Sequence, residues 1–206
     1  HPVTEFVTGV DLVHQQIAIA SGEKLSLKQS DIEQRGHSIE CRVYAEDPDN
    51  NFLPSSGEIL FVKEPRAPGV RCDSSLYSGC EVPVYYDPIL SKVIVWAQDR
   101  DTARQRMIRA LESYVILGIK TTVNFLKSVM EHPDFSSGET NTSFIEKNLP
   151  DLTDADEVGK DMEIALMAAA IKVSGDRTMP GTRGEVQPEV PDPWLLLGDF
   201  ELGKSK

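Results

Sequence analysis

Cationic side chains are the scarce class in this sequence: 21 lysines and arginines face 33 aspartates and glutamates, a formal charge of −12. Nucleic-acid backbones and anionic membrane surfaces are held by clustered Lys and Arg, so this balance excludes both as broad partners. Any anion binding has to be local. Long apolar runs are missing as well: no stretch approaches the ~20 residues of a membrane span, and no charged-then-apolar secretory segment precedes the first periodic stretch. Cysteine occurs only at Cys41, Cys72 and Cys80. Those spacings build neither a disulfide framework nor a Cys-rich zinc site, so the thiols are expected to be reduced and mostly packed, in a cytoplasmic setting. A phosphate-cradling loop of the form Gly-x-Gly-x-x-Gly is absent too.

What is present suffices for a core, since 40% of the 206 residues are hydrophobic. That length suits one large domain or a domain with a tail. The most informative stretch runs from Gly36 to Pro48, Gly-His-Ser-Ile-Glu-Cys-Arg-Val-Tyr-Ala-Glu-Asp-Pro. Ile39, Cys41 and Val43 alternate with Glu40, Arg42 and Tyr44, so a pleated strand turns the apolar three to one face and the polar three to the other. Residues i and i+2 lie roughly 7 Å apart on such a face, where Glu40 can orient Arg42 without covering its whole fork of donors. One reading is a structural ion pair; the other is an Arg42 aimed at an anion.

Around this strand the chain alternates short helices and strands. Val10, Val13, Ile17 and Ala20 recur at helical spacing over 8–20, with Gly22 as the stop. His14 lies on that helix without a second ligand and receives no role. Asp47–Asn51 and Pro54–Gly57 are turn signals, with Phe52 and Leu53 expected to plug the loop onto the core. Residues 58–62, 70–72, 81–84 and 92–97 read as strands of a meandering, mainly antiparallel sheet. A helix opening at Asp99 carries Ala103, Met107, Ala110, Leu111 and Tyr114 as its buried stripe, with Arg104, Arg106 and Arg109 on a solvated surface. Thr121 or Thr122 is expected to cap the next helix, with Phe125, Leu126, Val129 and Met130 inward and Pro133 as its stop. A short closing helix spans 142–149. Beyond Pro150 the spacing of Val158, Met162, Ala165, Leu166 and Ala169 predicts a linking helix over 150–173. Residues 174–206 then read as a flexible linker ending in the apolar tip Trp194–Leu197.

The Gly36–Pro48 stretch with Asn51-Phe52-Leu53-Pro54-Ser55 resembles the C-terminal lobe of biotin carboxylase, the ATP-grasp component of biotin-dependent carboxylases. The resemblance continues in order through His1-Pro2-Val3-Thr4-Glu5, Thr8–Val13, Gly69-Val70-Arg71, Tyr86-Asp87-Pro88, Ser91–Trp96 and Gly118–Thr122. It covers residues 1–149, of which 1–35 form a helical lead-in. The fold it implies is α+β, a mainly antiparallel sheet flanked by helices and followed by a helix and a flexible tail.

The activity it implies is ATP- and bicarbonate-dependent carboxylation of biotin on a carrier protein, within an acetyl- or propionyl-CoA-type carboxylase of fatty acid metabolism. By the family's pattern Arg42 meets the biotin ureido oxyanion, Glu40 and Asp87 support it, and Arg71 falls at an interface. The cofactors implied are biotin on a separate carrier domain, and ATP with Mg2+ or Mn2+ held by an N-terminal part outside this sequence. Its ATP lysine, glycine-rich loop and metal-binding glutamates are expected upstream of His1. The partners implied are that ATP-grasp part, the biotin carboxyl carrier domain and a carboxyltransferase subunit, in the cytoplasm, or in the mitochondrial matrix of a eukaryotic cell. No methionine-rich carrier motif occurs, so no biotinyl-lysine domain is expected here. Where relatives read Pro-Gly-Gly-Phe-Gly-Val-Arg this chain has Pro65-Arg66-Ala67-Pro68-Gly69-Val70-Arg71, which leaves homodimerisation open. Two other readings stand beside this one: a non-catalytic docking module, and the equivalent lobe of a urea-type carboxylase.

Overall fold

A computed structural model describes residues 1–153 and position 167. The chain divides into two compact units, His1–Asp156 and Glu157–Lys206, and the fold that follows belongs to the first. The expected linking helix, linker and apolar tip lie outside the described residues, apart from Met167, which is helical and exposed.

In chain order the elements are α1 (Pro2–Thr8), α2 (Leu12–Ala20), β1 (His37–Tyr44), β2 (Glu46–Asp47), β3 (Leu53–Pro54), β4 (Gly57–Glu58), β5 (Phe61–Lys63), β6 (Val70–Ser74), β7 (Glu81–Val82) and β8 (Ile89–Ala97). They are followed by α3 (Arg100–Ser113), β9 (Val115–Leu117), α4 (Val123–Glu131), α5 (Pro133–Ser137) and α6 (Phe144–Leu152). Every ladder is antiparallel. The main sheet has the order β1-β8-β6, and the pairs β2-β3, β4-β7 and β5-β9 form separate two-stranded ribbons. The expected meander is therefore replaced by long-range pairing: β1 finds its partner some fifty residues on. Alternation shows which strands are half-buried, but it carries no information about which of several such strands pair.

β8 lies between its two partners because its sequence, Ile-Leu-Ser-Lys-Val-Ile-Val-Trp-Ala, can be buried on both faces. Val93, Val95 and Ala97 enter the core with Ile39, Cys41 and Val43 of β1. Ile94 points the other way and is also fully buried, on the face that α1 covers. Burying Val93, Ile94 and Val95 contributes up to about 1.5–3 kcal/mol each, as an upper bound.

Helix α3 starts where Asp99 accepts the Thr102 amide at 2.8 Å, the usual N-cap arrangement. Its stripe packs as expected: Ala103, Met107, Ala110 and Leu111 are buried, with Tyr114 beyond them. The Tyr114 hydroxyl donates to Ser91 Oγ at 2.8 Å, tying the end of α3 to β8.

Several local expectations change. The lead-in is two short helices, with Gly9 left-handed between them, and Val13 and Ile17 of α2 are exposed rather than packed. The strand expected over 58–62 breaks at Ile59 and Leu60 into β4 and β5. Phe52 does plug its loop, meeting Phe125 edge-on at 5.0 Å, whereas Leu53 is 61% exposed. Arg104 and Arg106 are not a solvated surface: they donate to the carbonyls of Met130 and Trp96. β9 follows α3 directly, and α6 continues through Pro150 to Leu152. Thr122 stands at the N-cap of α4 but makes no side-chain cap there. Among the described residues no helix is long and apolar enough to cross a membrane.

Candidate functional site

The candidate site is the outer face of the main sheet, and its geometry follows from register. Arg42 stands opposite Lys92, which stands opposite Asp73, so one row of side chains crosses all three strands. The next row is Glu40, Ile94 and Arg71. Arg71 donates from Nε and Nη2 to the two carboxylate oxygens of Asp73, at 2.6 and 2.7 Å, and from Nη1 to Glu5 Oε2 at 3.3 Å. Asp73 is thereby committed to Arg71. Arg42 and Lys92 are left as two cations directly across a ladder, and among the described residues neither has an ion-pair partner.

Like charges in that position repel, so the arrangement favours an anion between or above them. Arg42 is exposed, and its guanidinium lies over the Tyr44 ring, 5.4 Å from the centroid. Contact of this kind holds a planar cation while leaving its edge donors free. A cleft of about 310 Å3 adjoins Lys92, lined by Asp73, Ser74, Ser75, Ile89, Leu90 and Ser91 besides the lysine.

The expected residues are thus partly brought together. Glu40 shares the face of Arg42 but makes no ion pair with it among the described residues; the side chain against Arg42 is Tyr44. Asp87 accepts the Ile89 amide at 3.0 Å and so shapes the entry to β8. Its charge, after burial, also helps push the Glu46 carboxyl above its ordinary value. Arg71 is engaged within the chain, between the sheet and α1.

Lys92 and Tyr44 are the members that sequence reasoning passed over as site residues. Tyr44 was legible as an i+2 neighbour of Arg42, while Lys92 required the β1-β8 register. Among the described residues no group of three or more His, Cys, Asp or Glu could hold a metal ion. These side chains do not fit a resident metal.

Comparison with known proteins gives this geometry its family. Residues 40–147 match the family model of the biotin carboxylase C-terminal domain. Residues 1–28 match that of the carbamoyl-phosphate synthase L chain, ATP binding domain. The chain is 53% identical over 146 residues to biotin carboxylase 1 of Bacillus subtilis, covering 71% of this chain and 32% of the relative. It is 35% identical over 206 residues to methylcrotonoyl-CoA carboxylase subunit alpha of Dictyostelium discoideum, covering 100% of this chain and 29% of the relative. Among solved structures, the biotin carboxylase domain of Hydrogenobacter thermophilus 2-oxoglutarate carboxylase, crystallised as a dimer with MgADP and bicarbonate, is similar with a TM-score of 0.73 at 45% identity, over 75% of this chain and 34% of that one. The chain spans about a third of the length of the curated relatives it matches. It belongs to the biotin carboxylase family, and its sheet and flanking helices form that family's C-terminal domain.

Proposed function

We propose that this chain is the C-terminal lobe of the biotin carboxylase subunit of an acyl-CoA carboxylase, and that it supplies the cationic face on which carrier-bound biotin is carboxylated. The observation that carries this reading is the Arg42–Lys92 pair, two cations across one ladder without an ion-pair partner among the described residues, in a chain that is strongly acidic overall. In biotin carboxylation, negative charge develops on the ureido oxygen as the ureido nitrogen is deprotonated and attacks carbon dioxide. Arg42, held over Tyr44, offers its planar fork to that oxygen. Lys92 adds positive potential from the neighbouring strand. A preorganised donor of this kind contributes on the order of 10²–10³ in rate. Phosphate and metal chemistry is assigned to the ATP-grasp part of the same subunit, and acyl transfer to a carboxyltransferase partner.

The acyl-CoA assignment is supported by the match to the Dictyostelium methylcrotonoyl-CoA carboxylase subunit, which runs over all 206 residues. On this reading the protein works in the cytoplasm, or in the mitochondrial matrix of a eukaryotic cell, and pairs as a homodimer like the 2-oxoglutarate carboxylase domain.

The test is Arg42→Ala in the full-length subunit. Biotin carboxylation is expected to fall about 10²-fold or more while the KM for ATP stays within error, because the lost interaction belongs to the transition state rather than to nucleotide binding. Arg42→Lys is expected to rescue poorly, since a point charge on a flexible stem does not reproduce the fork. A folded Arg42→Ala subunit with near-normal carboxylation removes Arg42 from the site.

A further inference from the structure

The exit of β1 departs from regular pairing just where Arg42 needs support. Val43 is opposite Ser91 but Tyr44 is opposite Ile89, so the ladder slips between them. Irregularities of this type re-aim the side chains that follow them. Past the slip, the Tyr44 backbone is held from the start of α4, 78 residues away in sequence: its amide donates to Thr122 Oγ1 at 3.0 Å, and its carbonyl accepts the Thr122 amide at 3.1 Å. Thr122 is 4% exposed. A threonine at a helix N-cap ordinarily spends its hydroxyl on an amide of its own first turn. This one spends it on Tyr44 instead.

We infer that Thr122, acting through Tyr44, is a positioning residue for Arg42. Thr122 fixes the backbone of Tyr44, that backbone sets where the ring stands, and the ring carries the guanidinium. The inference rests on the reading of Arg42 as the oxyanion donor. Replacing the hydroxyl by a methyl leaves the Tyr44 amide without its acceptor, so the ring, and with it Arg42, loses its fixed place.

The experiment is a double-mutant cycle on the full-length subunit, using free biotin as substrate and ATP as internal reference. Thr122→Val is expected to lower the biotin-dependent rate about three- to tenfold, the range of one lost hydrogen bond, with the KM for ATP unmoved. Thr122→Ser, which keeps the acceptor, restores most of that rate. On an Arg42→Ala background, Thr122→Val causes no further loss, because the group it positions is gone. Tyr44→Leu reproduces the Thr122→Val defect without touching α4, so a Thr122→Val subunit that fails to fold leaves the inference testable.

Three results overturn it: Thr122→Val indistinguishable from the unsubstituted subunit, an equal loss from Thr122→Val on the Arg42→Ala background, or Tyr44→Leu at full rate. If Arg42→Ala itself carboxylates normally, the reading of Arg42 fails instead, and the two failures are told apart.

Discussion

At the scale of single residues, long cationic side chains decide much of what this surface is, and they divide by what they reach rather than by where they start. Arg104, Arg106 and Arg109 leave the same helix. Arg104 has a side chain only 11% exposed. It bonds Asp101 Oδ1 at 2.8 Å and the Met130 carbonyl at 3.0 Å, which clasps α3 to the end of α4. Arg109 is exposed. Arg104→Ala is therefore expected to cost about 1–3 kcal/mol of stability, because a buried carbonyl loses a charged donor. Arg109→Ala should stay within about 0.5 kcal/mol. Chemical unfolding of the two variants side by side checks this, and equal midpoints would reject the clasp. Helical projection places Arg104 away from the buried stripe and so on a solvated face, which the structure corrects. It does not show that a second helix stands within reach of the guanidinium. Arg42 differs in kind: its exposure was legible in the alternation of β1, because nothing beyond the strand itself was needed.

At the scale of elements, the apolar stripes of α3 and α4 and the alternation of β1 were readable because each follows from one period. The pairing of β9 was not. Val115-Ile116-Leu117 is a short apolar run directly after a helix, and only its partner Phe61-Val62-Lys63 makes it a strand. The device that turns the chain there is Gly118, at φ 118°, where a Cβ would come within 2.1 Å of the Glu58 carbonyl oxygen. Both the dihedral and the contact forbid a side chain. Gly118→Ala is expected to destabilise by more than about 2 kcal/mol, whereas Gly79→Ala, left-handed but in open space, should cost about 1 kcal/mol. Thermal unfolding compares them, and a Gly118→Ala as mild as Gly79→Ala would show that the ribbon can shift.

The inner face of the main sheet has its own signature. Cys41 and Cys72 flank Val93 in one row, and the Tyr114 hydroxyl is hydrogen-bonded to Ser91, two residues before Val93 on β8. Burial pushes the Cys41 thiol from 9.0 to about 12, the Cys72 thiol from 9.0 to about 11 and the Tyr114 phenol from 10.0 to about 12. All three are raised, so the folded chain keeps protons that the unfolded chain releases. Their contribution is complete below about pH 9 and is lost as pH rises from there toward 12. Alkaline unfolding should accordingly begin near pH 9. Cys41→Val combined with Tyr114→Phe should flatten the slope of stability against pH, and an unchanged slope would assign alkaline loss to other groups.

At the scale of the whole described unit, the question is what joins the lead-in, which matches an ATP-binding family model over residues 1–28, to the domain matched over residues 40–147. Apolar packing does part of it through Pro2, which is fully buried. The polar part converges on Glu5, whose side chain is 14% exposed. One oxygen accepts the Leu12 amide at 3.0 Å, fixing the start of α2; the other accepts Arg71 at 3.3 Å, fixing α1 to β6. The sequence showed Glu5 and Arg71 only as separate motif members, since 66 residues lie between them. Because Asp73 also holds Arg71, loss of Glu5 should leave the sheet intact and free the lead-in alone. Glu5→Ala is expected to cost about 1–2 kcal/mol and to speed amide exchange in residues 2–20 while the amides of β1 and β8 stay protected. Arg35→Ala is the control, since its partner Glu33 is 70% exposed and the pair ties nothing together. Hydrogen exchange over minutes to hours decides: uniform acceleration throughout the unit would mean that Glu5 supports the fold globally, and no acceleration in 2–20 would mean that packing at Pro2 alone holds the lead-in to the sheet.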